Sequence, residues 1–207
     1  MRNTDRMSVR VRVSGLIGLA VLGIALVVVV WVGLRSRPQT GRSSAAPLVA
    51  ARFSRPPRLA LTVLTGGLIP PPLRSSWKLA ASDNEVALRE LRGHPLVVSF
   101  WASWCDPCRR EAPLLQRVWR AQRGRVLFLG VNENDTGDAA KAFIRRFGVT
   151  YPAVREAGDA TAVRWGVGGL PVTFFIADDG RVVAQSIGQL RPRQLRRGVD
   201  AARKGRL

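Results

Sequence analysis

Cysteine and histidine are scarce in this 207-residue chain, which has two of the first and one of the second. A structural metal site takes about four protein ligands. Only His94 could join the two thiols, so neither a metal nor another cofactor is expected. Both cysteines fall in one run, Trp104-Cys105-Asp106-Pro107-Cys108, which leaves neither for a structural bridge elsewhere. Acid is short as well: 14 Asp and Glu stand against 33 Lys and Arg, a formal charge of +19. Such an excess suits nucleic acid or anionic lipid. No nucleic-acid motif accompanies it, and the aromatics sit in apolar runs rather than among the basic residues. The excess is also spread evenly, +10 over residues 1–76 and +9 over 77–207, and 30 of the 33 basic residues are Arg. Nucleic acid is therefore not expected as a partner. No internal repeat is present.

The longest uncharged stretch runs from Val13 to Leu34. At about 1.5 Å per helical residue it can cross a hydrocarbon layer of about 30 Å. It exceeds the roughly 7–15 residues of a signal-peptide core, and Arg35 and Arg37 follow before any small-residue cleavage site. An uncleaved single-pass anchor is expected over 13–34, preceded by a basic segment over 1–12. Arginines lie on both sides of the span, so charge barely sets its orientation. The cysteine domain is placed outside the cytoplasm on functional grounds, because a tethered dithiol is most useful in an oxidising compartment. Residues 35–76, rich in Pro, Arg and Ser, read as a linker with a short apolar segment at Leu59–Leu64 and a stiff Pro70–Pro72 near its end.

From Trp77 to Leu207 apolar runs alternate with helical patterns, enough for one domain. Trp77–Ala80 and Glu85–Leu88 suggest a leading hairpin. Leu96–Trp101 is a buried strand bounded by Gly93 and Pro95. A helix follows from about Cys108 to Arg123, then a strand over Val126–Val131 and a helix over Thr136–Phe147 closed by Gly148. Val149–Val154 reads as a short strand and Asp159–Trp165 as a short helix. Val172–Ile176 and Arg181–Ile187 are strands joined by the turn Asp178-Asp179-Gly180, and Pro192–Lys204 is a last helix with proline at its start. The order implies an α/β fold, a mixed sheet with helices on both faces.

Two cysteines three apart at a helix start face each other across one turn and can alternate between dithiol and disulfide. The attacking species in disulfide exchange is a thiolate, and the unpaired N–H groups of a helix N-terminus favour an anion there. Cys105 is thus the expected nucleophile and Cys108 the resolving thiol. Pro107 suits the first turn, where its missing N–H costs nothing.

Phe100-Trp101-Ala102-Ser103-Trp104-Cys105-Asp106-Pro107-Cys108, with Pro113 in the following helix and Gly169-Leu170-Pro171-Val172-Thr173-Phe174 downstream, resembles the thioredoxin superfamily. The resemblance covers about residues 77–204 and implies a thioredoxin-like fold. It also implies a cis Pro171 beside the reactive cysteine, with Leu170 pairing with the backbone of a bound peptide and Trp104 flanking it. Where cytoplasmic thioredoxins keep a buried Asp ahead of the motif, this chain has Ser99. Glu111, three residues after Cys108, is instead similar to the buried Glu of the membrane-anchored TlpA/ResA-type oxidoreductases, as are the anchor and the extra helix and strand between Val131 and Pro171. Members dedicated to cytochrome c often carry Glu directly after the cis-proline, where this chain has Val172.

The resemblance implies a redox enzyme that reduces disulfides of exported proteins such as apocytochrome c, with Glu111 managing protons and a membrane-embedded thiol transporter supplying electrons. An oxidase of the same fold is the first alternative, and a tethered binding or chaperone module with an incidental dithiol is the second. Peroxide reduction is disfavoured because Phe100–Trp104 lacks the Pro-x-x-x-Thr/Ser-x-x run of peroxiredoxins. Arg109 and Arg110 are candidates for steering acidic partners or holding a thiolate, and equally for solvated helix charge. His94 reads as a surface turn residue.

Overall fold

The computed structural model describes residues 47–207 apart from 51, 52 and 123. The basic segment 1–12 and the anchor over 13–34 lie outside the described residues. Among the described residues no helix is long and apolar enough to cross a membrane.

Seven strands form one mixed sheet. They are β1 (Ala60–Thr65), β2 (Glu85–Ala87), β3 (Leu96–Trp101), β4 (Leu127–Asn132), β5 (Ala153–Arg155), β6 (Val172–Ile176) and β7 (Val182–Ile187), in the order β2-β1-β5-β4-β3-β6-β7. The central trio β3, β4 and β6 is buried at every position, which explains why these strands read as continuous apolar runs without alternation. β3 and β4 are parallel and are linked by helix α2 (Asp106–Gln122), while β6 runs antiparallel to β3. Parallel neighbours need such a crossover. β4 and β5 are parallel as well, joined by helix α3 (Gly137–Phe147). Thr136 caps α3 by accepting from the Ala139 amide at 3.2 Å, and Gly148 closes it with φ +59°, in the left-handed region that favours glycine.

The two faces of β3 separate the core. Phe100 meets Phe174 and Trp165 on one face, where Phe53 also packs on Phe174. Trp165 ends the short helix α4 (Ala160–Arg164). On the other face Trp101 stacks on Phe143 of α3, with ring centroids 4.4 Å apart. Phe175 lies there against Gly198 of the last helix, α5 (Pro192–Lys204).

The N-terminal edge differs from the sequence expectation. Trp77–Ala80 is no hairpin strand: it is the last turn of helix α1 (Pro71–Ala80). Pro71 and Pro72 take the first helical positions, where no N–H is needed. Leu73, Trp77 and Ala80 then fall on one buried stripe. The partner of β2 is β1, with Leu61 opposite Val86. The sheet thus reaches back into the stretch that composition reads as linker, and Val49 adds an isolated bridge to Gln185. The strand expected over Val149–Val154 shortens to β5, whose pairing with β4 begins at Gly130↔Ala153.

Gly198 gives a test of this packing. Alanine in mid-helix is ordinarily better than glycine by about 1 kcal/mol. A Cβ here would run into the Phe175 ring, and overpacking a core costs about 1–3 kcal/mol. Gly198→Ala is therefore expected to lower stability, by up to about 2 kcal/mol in urea unfolding, against the helix-propensity trend.

Candidate active site

The antiparallel pairing Phe100↔Val172 sets the end of β3 beside the start of β6. Trp101 pairs with Asn132 of β4 on the other side. Three loops, 102–105, 133–135 and 168–171, therefore meet at one edge of the sheet, where strand ends of α/β sheets commonly hold sites.

Cys105 and Cys108 are joined by a disulfide with Cα atoms 5.2 Å apart, and both are buried. The Cys108 amide donates to Cys105 Sγ at 3.2 Å. This first-turn N–H has no earlier carbonyl to bond, so it is available to a sulfur that carries charge after reduction. The turn before the pair is held by Asp135, which accepts from the Ser103 amide at 2.6 Å and the Ser103 hydroxyl at 2.9 Å. Burial alone would raise the Asp135 pKa. The hydrogen bonds from Asn132, Ser103 and Thr136 outweigh it and hold this carboxyl below its ordinary value. Trp104 is 55% exposed, and its indole N–H donates to the Asn134 carbonyl at 2.9 Å, which lays the ring beside the disulfide turn.

The Leu170–Pro171 bond is cis. Pro171 is buried, Leu170 half-buried, and Gly168 and Gly169 are exposed. Pro171, Cys108 and Glu111 line one small cavity with Ser99, Trp101 and Tyr151. Glu111 is 1% exposed. Its Oε2 accepts from the Leu190 amide at 3.3 Å, and Oε1 has no hydrogen-bond partner. Burial raises its pKa to about 7, against weaker opposing pulls from the Leu190 amide and the Thr173 hydroxyl. The structure therefore brings together Cys105, Cys108, Glu111, Trp104, Leu170 and Pro171. Glu111 is not a solvated helix residue.

Other candidates fall away from the chemistry. His94 Nε2 lies 2.8 Å from the Ser76 hydroxyl, in the turn beneath α1. No cluster suited to a metal ion occurs among the described residues. Arg109 is tied to the Ser103 carbonyl and Asp106, and Arg110 to Gln189. Sequence reasoning missed Asp135, Trp101, Tyr151 and Glu133. Burial holds the Tyr151 hydroxyl well above its ordinary pKa, with Glu111 adding to the effect. Burial likewise raises Glu133 to about 7, helped by Glu156 and Asp159. One available signal was position: Glu133-Asn134-Asp135 directly follows β4, a strand parallel to the one that leads into the cysteines.

A family model described as AhpC/TSA matches residues 74–185, more than half of the chain. The chain belongs to the AhpC/TSA family. Among curated relatives, the thiol-disulfide oxidoreductase ResA of Bacillus thuringiensis (strain Al Hakam) is 31% identical over 113 residues, 54% of this chain and 65% of that protein. The thiol:disulfide interchange protein HelX of Rhodobacter capsulatus is 36% identical over 105 residues, 50% of this chain and 58% of that one. The chain thus aligns with less than two thirds of either relative. A solved structure of a putative thiol:disulfide interchange protein DsbE from Chlorobium tepidum superposes with a TM-score of 0.59 over 74% of this chain and 99% of that one, at 23% identity. That likeness supports the thioredoxin-like fold found here.

The burial of Glu111 predicts a pH-dependent stability. Its pKa is about 7 in the folded state against an ordinary value of 4.5. Between these values the folded form holds a proton that the unfolded form has lost, so stability falls as pH rises through that window. At about 1.4 kcal/mol per unit the full loss is roughly 3 kcal/mol, complete above about pH 7. Glu111→Gln removes the ionisation. Urea unfolding should show the variant gaining on the parent from about pH 5 to about pH 8, by up to roughly 3 kcal/mol. Equal pH slopes for the two proteins would contradict a buried, proton-holding carboxyl.

Proposed function

We propose that this chain is a membrane-tethered thiol–disulfide oxidoreductase working outside the cytoplasm, where it reduces disulfides of exported proteins, with apocytochrome c as the leading substrate. The observation that carries the activity is the Cys105–Cys108 disulfide at the first turn of α2, set against the cis-proline loop and above a buried carboxyl. The names of the relatives, thiol-disulfide oxidoreductase and thiol:disulfide interchange protein, support the reaction class. The uncharged stretch over 13–34 supports the tether. The apocytochrome substrate rests on the TlpA/ResA resemblance alone, and Val172 in place of Glu leaves a broader range of exported proteins open.

The reaction begins with the reduced pair. The Cys105 thiolate attacks one sulfur of a substrate disulfide, a mixed disulfide forms, and the other substrate sulfur leaves as a thiolate. Cys108 then gives its proton to the Glu111 carboxylate and attacks Cys105 Sγ. The mixed disulfide breaks, the second substrate sulfur leaves as a thiolate, and the Cys105–Cys108 disulfide remains. Both substrate thiolates take protons from water, and Glu111 returns its own to solvent. Two electrons have passed to the substrate, and a membrane-embedded thiol transporter would restore them to the protein. Trp104 and Leu170 flank the attacked sulfur, and the backbone ahead of Pro171 presents the peptide.

Trapping tests this reading. Full-length Cys108→Ala, expressed in its own envelope, should accumulate mixed disulfides whose partners mass spectrometry identifies as exported cysteine proteins, and Cys105→Ser should trap none. A variant that captures no partner removes the oxidoreductase reading and leaves a tethered binding module. The reduction potential decides direction. A value near thioredoxin's, about −270 mV, fits a reductase, and one near about −120 mV makes the protein an oxidase.

A further inference from the structure

A pocket of about 450 Å³ opens at the end of the sheet away from the cysteines. Leu96 and Ile176 are on its wall, and they pair at the far end of the ladder that carries Phe100↔Val172. Four strand residues at about 3.3 Å each separate the two ends by roughly 13 Å. Leu59 and Leu88 complete an apolar floor, and all four side chains are buried. The volume lies within the range of small-molecule sites, about 300–1,000 Å³.

Every charged residue on the wall is an arginine: Arg55, Arg58, Arg89 and Arg92, all exposed. Arg89 pairs with Glu90 at 3.3 Å. Arg55 acts on the charge of Asp179, which Arg181 already binds at 2.6 Å. The guanidinium groups of Arg58 and Arg92 have no hydrogen bond or ion pair to another described residue. The backbone holds this cationic rim in place. The Ser54 carbonyl accepts from the Val182 amide at 2.9 Å, and the Leu59 carbonyl from the Leu88 amide at 3.0 Å. Pro56 and Pro57 stiffen the short span between those two bonds. Arg89 and Arg92 come from the 3-10 turn Leu88–Leu91 and the residue after it. Arg92 rests on the hairpin turn at Gly180, where a Cβ would lie 3.2 Å from its Nε.

Unpaired arginines above an apolar floor ask for a ligand with two parts. Guanidinium groups suit phosphate oxygens, which they can bind in a bidentate fork. A free phosphate or an acidic peptide would satisfy the arginines and leave the floor against water. A phospholipid satisfies both, with its phosphate at the rim and the first methylenes of its chains below. Chain length allows the meeting. Arg55 follows Leu34 by 21 positions, and a chain of that length spans at most about 75 Å.

We propose that this pocket binds an anionic phospholipid, its phosphate on Arg58 and Arg92 and the start of its acyl chains on the floor of Leu59, Leu88, Leu96 and Ile176. The inference rests on the membrane tether proposed above. The lipid gives the tethered domain a second point of attachment beyond its single span.

The test uses the full chain in nonionic detergent micelles doped with phosphatidylglycerol that carries a photoreactive group at the start of one acyl chain. After illumination, mass spectrometry should place the adduct on residues 55–60 and 88–96. A basic residue near an anionic lipid surface strengthens binding about fivefold. Half-maximal labelling of the Arg58→Gln/Arg92→Gln variant should therefore need roughly 25-fold more lipid. Arg145→Gln/Arg146→Gln removes the same charge from exposed positions of α3 and should label like the parent. Both variants should reduce glutathione disulfide at the parental rate, because neither touches the cysteine edge. Equal losses in the two variants, or adducts scattered over the domain, reduce the effect to general charge attraction and overturn the site. Equal labelling by photoreactive phosphatidylcholine, which has no net charge, overturns the anionic claim. Displacement by glycerol phosphate at the concentration of the lipid makes the pocket a site for soluble phosphates and overturns the lipid. The tether is checked separately, by carbonate extraction of the full chain from its own membranes. A chain that washes off overturns the tether and this occupant together, and a retained chain without adduct overturns the pocket alone.

Discussion

The register of β6 on β3 is the constraint on which the rest of the site depends. With Phe100 opposite Val172, the cis Leu170–Pro171 bond arrives beside the last residue of the strand that delivers the cysteines. With Trp101 opposite Asn132, the Asp135 loop arrives on the other side and ties down Ser103. A slip of one residue turns every side chain of a strand to the opposite face. Ser99 and Trp101 would then enter the Phe53–Phe174–Trp165 cluster, and Glu111 would lose its cavity. β3 is buried on both faces, so a slip would misfit two cores at once.

Glu111 shows what that rigidity permits. A carboxyl that is 1% exposed with one oxygen unpartnered works against folding. A domain of this size has about 5–15 kcal/mol in hand, so a burden of roughly 3 kcal/mol is a sizeable fraction of the whole. Packing does not require it, because a neutral or apolar side chain would fill the position without that burden. A group kept under such strain at the turn of helix below two cysteines makes sense as an acid–base partner whose pKa sits close to neutral pH. In the proposed reaction Cys108, on the same cavity wall, is the thiol that must lose a proton.

Much of this was legible in the sequence, for identifiable reasons. β3, β6 and α5 end where the apolar runs and the Gly and Pro punctuation place them, because both faces of the central strands are buried and no competing pattern exists. Cys108 and Glu111 lie on α2 and Cys105 directly precedes it, so their spacing alone brings them together. The N-terminal edge was misread because Pro70–Pro72 looks the same to composition whether it stiffens a linker or opens a helix, and because β1 is defined by a partner 25 residues away. Trp101 and Tyr151 were beyond reach for a different reason. Each is an ordinary core aromatic in its own segment, and it shares a cavity wall with Cys108 and Glu111 only through the packing of α2 on the sheet. Asp135 carries no local cue that separates it from Asp138, three residues later on α3. One anchors the disulfide turn through Ser103, and the other lies exposed in the first turn of a helix.

The surroundings of Cys105 also bear on what the site can select. In a basic domain the first expectation is charge steering, yet the two arginines nearest the disulfide are held in local bonds. Arg109 reaches back to the Ser103 carbonyl and to Asp106, and Arg110 to Gln189 on the loop after β7. These bonds brace the loops around the cysteines and leave the guanidinium groups poorly placed to reach outward as a pair. The exposed groups there are the indole of Trp104 and the backbone of Gly168 and Gly169, with Leu170 half-buried beside them. Position 172, next to the cis-proline, is a buried valine. Apolar side chain and exposed glycine backbone therefore adjoin the cysteine turn at this edge of the sheet.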